Sequence, residues 1–139
     1  MKLKNKISRT IPNYQSEWYK SLKKSSLNPP NILFPIVWTI LYIMIAISGY
    51  SYITNNSKDK YGIILFSIQL FFNVIWVYLF FGLEKPLLSL IDIGLLWVTL
   101  LATIKAFYKN NKIASYLLMP YFAWVSFAGY LNYYIVKNN

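Results

Sequence analysis

The chain has 139 residues, 57% of them hydrophobic and 19% aromatic, with only 13% charged. That is about half the charge of an average soluble domain, so the chain cannot cover itself with a polar surface and reads as a membrane protein of one domain. It contains no cysteine and no histidine, which excludes disulfides, thiolate or imidazole metal sites, and Ser-His or Cys-His catalytic pairs. No metal site and no covalently bound cofactor are expected. A tetrapyrrole, if bound, would be held by shape and ring stacking rather than by a histidine on its metal.

The first 31 residues form a basic leader. Lys2, Lys4, Lys6, Arg9, Lys20, Lys23 and Lys24 all precede the first apolar segment. The net charge of +10 therefore sits where a membrane protein meets anionic lipid, not in a pattern that suits nucleic acid. No apolar region of about 7 to 15 residues follows the basic start, so no signal peptide is expected. Trp18, Tyr19 and Leu22 in "EWYKSL" fall on one side of a short helical turn. With "LNPP", this predicts an ordered lid folded over one end of a helical bundle, or an interfacial anchor.

Four apolar segments follow, at 32–53, 61–83, 87–108 and 113–136, with a tail at 137–139. Each approaches the roughly 20 residues needed to cross about 30 Å of hydrocarbon. The connections "TNNSKDK", "EKP" and "KNNK" are short enough to force antiparallel neighbours. The expected fold is an all-α membrane protein, an up-down bundle of four transmembrane helices under a polar lid. Four crossings leave both ends on one side, with the leader cations, Lys85 and Lys137. The positive-inside rule makes that side cytoplasmic, and a bacterial inner membrane is expected. Tyr61, Tyr108, Tyr133 and Tyr134 stand near segment ends, where an interfacial aromatic belt belongs.

The first segment opens on "PPNILFPIVWTILY". Proline is tolerated in a first helical turn, where its missing N–H would have been unpaired anyway. Pro29 and Pro30 set an extended approach, Pro35 falls in or near the first turn, and Trp38 and Tyr42 share the face that follows. In the second segment Gln69, Asn73, Trp76 and Phe80 form one stripe. In the third, Asp92, Thr99 and Thr103 share a face. In the fourth, Trp124, Phe127, Ala128 and Leu131 line up, with Asn132 beside them and small surfaces at Ser126, Ala128 and Gly129. Polar groups inside spans face the bundle interior. These stripes fit a ligand pocket, and they fit ordinary helix packing as well. Asp92, about 9 Å into its helix at about 1.5 Å per residue, is read as a cap, a partner for a leader lysine, or a protonated acid.

The motifs "WYKSL", "PPNILFPIVWTILY", "NVIW", "FFG", Asp92 and "PYFAWVSFAGYLNY" resemble, in order and spacing, the translocator protein / tryptophan-rich sensory protein (TspO/MBR) family. The resemblance runs from Trp18 to the end of the chain. It implies a bundle of five membrane helices, commonly a homodimer, binding porphyrins, sterols and benzodiazepine-type ligands beneath its first long loop. It further implies pocket roles for Trp38, Tyr42, Asn73, Trp76, Trp124, Phe127, Ala128 and Leu131, and lid roles for Tyr19, Pro29 and Pro30. Trp38 and Trp124 match the tryptophans implicated in a light-dependent breakdown of protoporphyrin. Three departures stand out: residues 1 to 17 are polar where the family has its first helix, the loop "KPxW" reads "KSSL", and a frequent tryptophan is Ile32. Either the chain is shortened at its start or this member has four spans, and one wall of the pocket would then be missing or supplied by a partner chain. Leu131, Tyr133 and Lys137 fit the loose sterol-recognition pattern of the last helix.

The leading expectation is a receptor or carrier in the lipid bilayer for a porphyrin or another planar hydrophobic small molecule. Lys20, Lys23 and Lys24 would meet the ligand's carboxylates. Other readings are light-dependent porphyrin degradation at Trp38 and Trp124, sterol binding or transport, and a purely structural membrane subunit. A proton-coupled exporter fits less well, because its first span should carry an acid and residues 32–53 carry none.

Overall fold

The computed structural model describes residues 17–139. A short helix α1 (Glu17–Ser21) precedes four long ones: α2 (Leu33–Asn55), α3 (Lys60–Val77), α4 (Pro86–Asn110) and α5 (Lys112–Asn138). A π-helical turn, Tyr78–Gly82, extends α3. The predicted boundaries differ from these by one to two residues at each end. Part of the expected leader, residues 1 to 16, lies outside the described residues.

The helix ends follow from local sequence. Asp59 caps α3 by accepting from the Gly62 N–H at 3.2 Å, and Asn111 caps α5 by accepting from the Ala114 N–H at 3.1 Å. Pro86 opens α4 and Pro35 sits in the first turn of α2, places where a missing N–H costs nothing. Pro120 lies inside α5, which continues through it.

α4 packs on both α3 and α5, and α2 packs mainly on α5 and meets α3 at few points. The helices therefore run α2, α5, α4, α3 around the bundle. Tyr52, Leu96, Leu100, Phe107, Leu118 and Tyr121 are fully buried at its centre. Tyr52 stacks on Phe107 at 3.7 Å between centroids. Buried hydroxyls join helices through backbone carbonyls: Ser48 donates to Ala114 O at 2.7 Å and Ser115 to Ile104 O at 2.9 Å. Such links suit a medium in which water satisfies nothing.

The outer faces are apolar. Ile36, Ile40, Ile43 and Ile47 on α2, Ile64, Phe71 and Val74 on α3, and Ile91, Leu95 and Val98 on α4 are all exposed. Continuous apolar surface on three helices is a lipid-facing surface, not one for water. The protein is an all-α integral membrane protein. Helices α2, α3 with its π turn, and α4 are long and apolar enough to span a membrane. The fourth expected span, α5, does not join that group. It is longer, at 27 residues, but it carries Ser115, Tyr116, Tyr121, Ser126, Asn132, Tyr133 and Tyr134. Its inner face supplies polar partners to its neighbours, which dilutes its hydropathy.

Both ends of the described chain meet at one end of the bundle. The Lys23 N–H donates to Asn139 Oδ1 at 2.9 Å, and Asn139 Nδ2 donates back to Lys23 O at 3.0 Å.

Candidate functional site

Beneath the lid, α2, α3 and α5 enclose a small cavity lined by Tyr19, Asn28, Phe34, Trp38, Trp76, Phe80, Phe81, Trp124, Ala128, Leu131, Asn132 and Ile135. Its walls are two aromatic clusters. On the α2–α5 side, Trp38 and Trp124 meet edge to face at 6.3 Å and 88°, and Phe34 meets Trp124 at 5.8 Å. On the α3 side, Trp76 stacks on Phe80 at 5.1 Å and 16°, and Phe80 touches Trp18 and Tyr19 of the lid helix. The π turn explains the second cluster. Its wider winding, closed by the Leu83 N–H donating to Tyr78 O at 2.8 Å, lets the consecutive residues Phe80 and Phe81 both turn inward, at 3% and 5% exposure.

Hydrogen bonds hold the rings. Trp76 Nε1 donates to Asn132 Oδ1 at 3.0 Å, and Asn132 Nδ2 donates to Pro86 O at 3.0 Å. Ser89 Oγ lies 2.8 Å from Pro86 O and 3.0 Å from Asn132 Oδ1, sharing its proton between them. One turn deeper along α2 and α3, the Tyr42 hydroxyl donates to Asn73 Oδ1. Asn73 Nδ2 then donates to the Tyr121 hydroxyl at 2.8 Å, which donates to Gln69 Oε1 at 2.9 Å. This chain joins α2, α3 and α5 one turn beyond the cavity. Asp92 is buried nearby in α4, with Oδ2 lacking a partner among the described residues. It therefore does not cap a helix end.

Local polar contacts fix the lid. Lys24 Nζ donates to Tyr19 O at 2.7 Å and Leu22 O at 3.3 Å, and lies over the Tyr19 ring at 4.5 Å. Partial burial lowers the Lys24 pKa, and burial raises that of the Tyr19 phenol against the smaller effect of its bond to Asn28. Ser25 and Tyr130 hydroxyls pair at 3.3 Å. Lys20 and Lys23 remain exposed at this mouth.

Of the residues expected from the sequence, Tyr19, Trp38, Trp76, Trp124, Ala128 and Leu131 line the cavity together. Tyr42 and Asn73 do not line the cavity and are bonded to each other one turn beyond it. Phe127 is half-buried behind the wall, 5.6 Å from the Trp124 ring. Pro29 and Pro30 lie in the lid, but the neighbouring Asn28 is the one that lines the cavity. Leu131, Tyr133 and Lys137 do not share one surface: Leu131 faces inward at 6% exposure, whereas Tyr133 and Lys137 are exposed. Asn28, Phe34, Phe81 and Ile135 escape a reading by stripes. Phe34 precedes Pro35 in the first turn and lies one turn before Trp38, a spacing that could have found it.

The sequence model of the TspO/MBR family matches residues 5–137. The chain belongs to the TspO/MBR family. It is 45% identical over 135 residues to the tryptophan-rich protein TspO of Chlorobaculum tepidum, covering 95% of this chain and 85% of that one. Protein CrtK of Rhodobacter capsulatus is 34% identical over 88% of this chain and 78% of its own. The human translocator protein is 31% identical over 138 residues, 95% of this chain and 80% of its own. Membership in the TspO/MBR family, with relatives named as sensory and translocator proteins, supports a role as a membrane receptor or sensor. Among the described residues no three acids cluster as a metal site would need.

Proposed function

We propose that this TspO/MBR protein is a receptor or carrier for porphyrins or similar flat amphipathic molecules, taken up between its two aromatic walls. One observation carries the reading: Trp38, Trp76 and Trp124, borne by three separate helices, line one cavity under a lid. Ring stacking contributes about 0.5–1.5 kcal/mol per pair beyond the area buried, and the cavity offers several such rings. The cavity is small, at about 30 Å³, whereas small-molecule sites hold about 300–1,000 Å³. Binding therefore separates the walls.

The proposal includes a bacterial inner membrane, with the lid end in the cytoplasm, where Lys20 and Lys23 meet the ligand's carboxylates. It includes association of two copies and no covalent cofactor. Titrating protoporphyrin into the detergent-solubilised protein tests it. Tryptophan fluorescence falls at micromolar ligand, and an unchanged signal overturns the reading.

The edge contact of Trp38 with Trp124 favours a second reading, light-dependent breakdown of the bound porphyrin at these two rings. Illumination of the complex would bleach the porphyrin absorption band. Bleaching that persists in Trp38→Phe and Trp124→Phe removes these rings as its agents.

A further inference from the structure

Trp76 and Trp124 differ in one respect that bears on ligand choice. Trp76 gives its N–H to Asn132 Oδ1, while Trp124 Nε1 is enclosed and has no hydrogen-bond partner among the described residues. The ring neighbours of Trp124 are Phe34, Trp38 and Phe127, and none of these side chains carries an acceptor atom. A buried indole N–H normally finds a partner, because leaving it unmade forfeits its solvation. The nearby acceptors are engaged: Asn132 Oδ1 faces both Trp76 and Ser89, Asn73 Oδ1 takes the Tyr42 proton, and Gln69 Oε1 takes the Tyr121 proton.

We propose that the ligand itself supplies the missing acceptor: the Trp124 N–H donates to an oxygen on the ligand edge facing α5, so the site selects planar amphipaths bearing carbonyl or carboxyl groups over all-hydrocarbon ones of similar size. This inference rests on the receptor reading and adds a chemical requirement to it. Stacking alone is indifferent to such an oxygen, because every aromatic face in the cavity accepts an alkyl-substituted ring equally well. A donor with nothing to bond is not indifferent. It penalises a ligand that buries it without an acceptor, and that penalty discriminates more strongly than a favourable contact does.

The test compares two neutral porphyrins, so that the lysines at the mouth play no part. Protoporphyrin dimethyl ester carries two ester carbonyls, and etioporphyrin carries only alkyl groups. In the wild-type protein the ester binds more tightly. Trp124→Phe, which keeps a ring and removes the N–H, weakens the ester about five- to tenfold more than it weakens etioporphyrin, the difference being the worth of one hydrogen bond. In protein labelled with ¹⁵N-tryptophan, the Trp124 indole resonance, assigned by its loss in the variant, moves downfield in ¹H on adding the ester to wild type and does not with etioporphyrin. Equal weakening of both ligands, or an indole resonance unmoved by the ester, overturns the inference while the receptor reading stands. Failure of both porphyrins to bind the wild-type protein overturns the receptor reading, and this inference with it.

Discussion

Gly49 shows how tightly single side chains are set in the half of the bundle away from the lid. A Cβ built there would lie 2.5 Å from Phe66 Cζ, below any real carbon contact. Phe66 has little freedom to retreat, since it stacks on Phe107 at 5.7 Å and Phe107 stacks on Tyr52. Gly49→Val is expected to destabilise the protein by about 1–3 kcal/mol, the range for overpacking a filled core. Thermal unfolding in detergent measures it, and an unchanged midpoint would show that Phe66 can swing away. At the same end Asp59 accepts from the Tyr52 hydroxyl, the Gly62 N–H and Asn110 Nδ2. These bonds, that of Tyr52 first, hold its pKa below the ordinary 3.8. Because the folded value is the depressed one, the stabilisation is present above pH 3.8 and is lost as the pH falls through and below it. Asp59→Asn keeps a capping side chain but cannot titrate. Melting curves between pH 6 and 3 are therefore expected to converge at the acid end, with the wild type losing its advantage. A constant gap between the two would mean that the carboxylate's charge contributes nothing.

At the scale of elements, α2, α3 and α4 were legible because a span announces itself by length and hydropathy, and the connections were too short to permit any arrangement but antiparallel. Trp38, Trp76 and Trp124 were legible in part from stripes at helical spacing and in part from the resemblance to known relatives. The polar character of α5, and with it the lower hydropathy of that helix, was visible in its tyrosines and asparagines; which of those groups face inward shows only in the fold. The π turn was not legible. A reading at 3.6 residues per turn puts Phe80 on the inner stripe and leaves Phe81 about 100° away, and only the wider winding brings both inside. The Trp76–Asn132 pairing was equally hidden, because it joins residues 56 apart in sequence. The turn after the π segment holds Glu84 at φ 55°, a left-handed conformation that costs a residue with a Cβ roughly 1–2 kcal/mol. Glu84→Gly removes that strain and loosens the unfolded chain, so a net gain of up to about 1 kcal/mol is expected. A lower melting temperature for the variant would mean that the Glu84 side chain makes contacts worth more than the strain.

At the scale of the whole molecule, the small volume of the cavity couples binding to opening. A planar macrocycle cannot enter about 30 Å³, so the lid and the two aromatic walls must part, and the rate of uptake follows the fraction of molecules already open. Polar bonds and ring contacts hold the lid to the bundle. Asn139 clasps the Lys23 backbone from the end of α5, and Ser25 meets Tyr130, while Tyr19 packs its ring against Phe80 and Phe81. These polar contacts add no side chain to the aromatic walls; Asn139 meets the cavity lining only at the backbone O of Ile135, at 2.9 Å. Removing them thus changes the opening equilibrium without changing the surface that meets the ligand. Asn139→Ala combined with Tyr130→Phe is expected to raise the association rate of protoporphyrin about two- to tenfold, the return for about 0.5–1.5 kcal/mol in total from these mostly exposed bonds. Stopped-flow quenching of tryptophan fluorescence measures that rate directly. Tyr19→Ala gives the contrasting result: it opens the lid too, but it deletes part of the wall, so association quickens while dissociation quickens more. Association rates identical to wild type in both variants would mean that ligand does not pass the lid and enters between the helices from the bilayer, where α2 and α3 meet at few points.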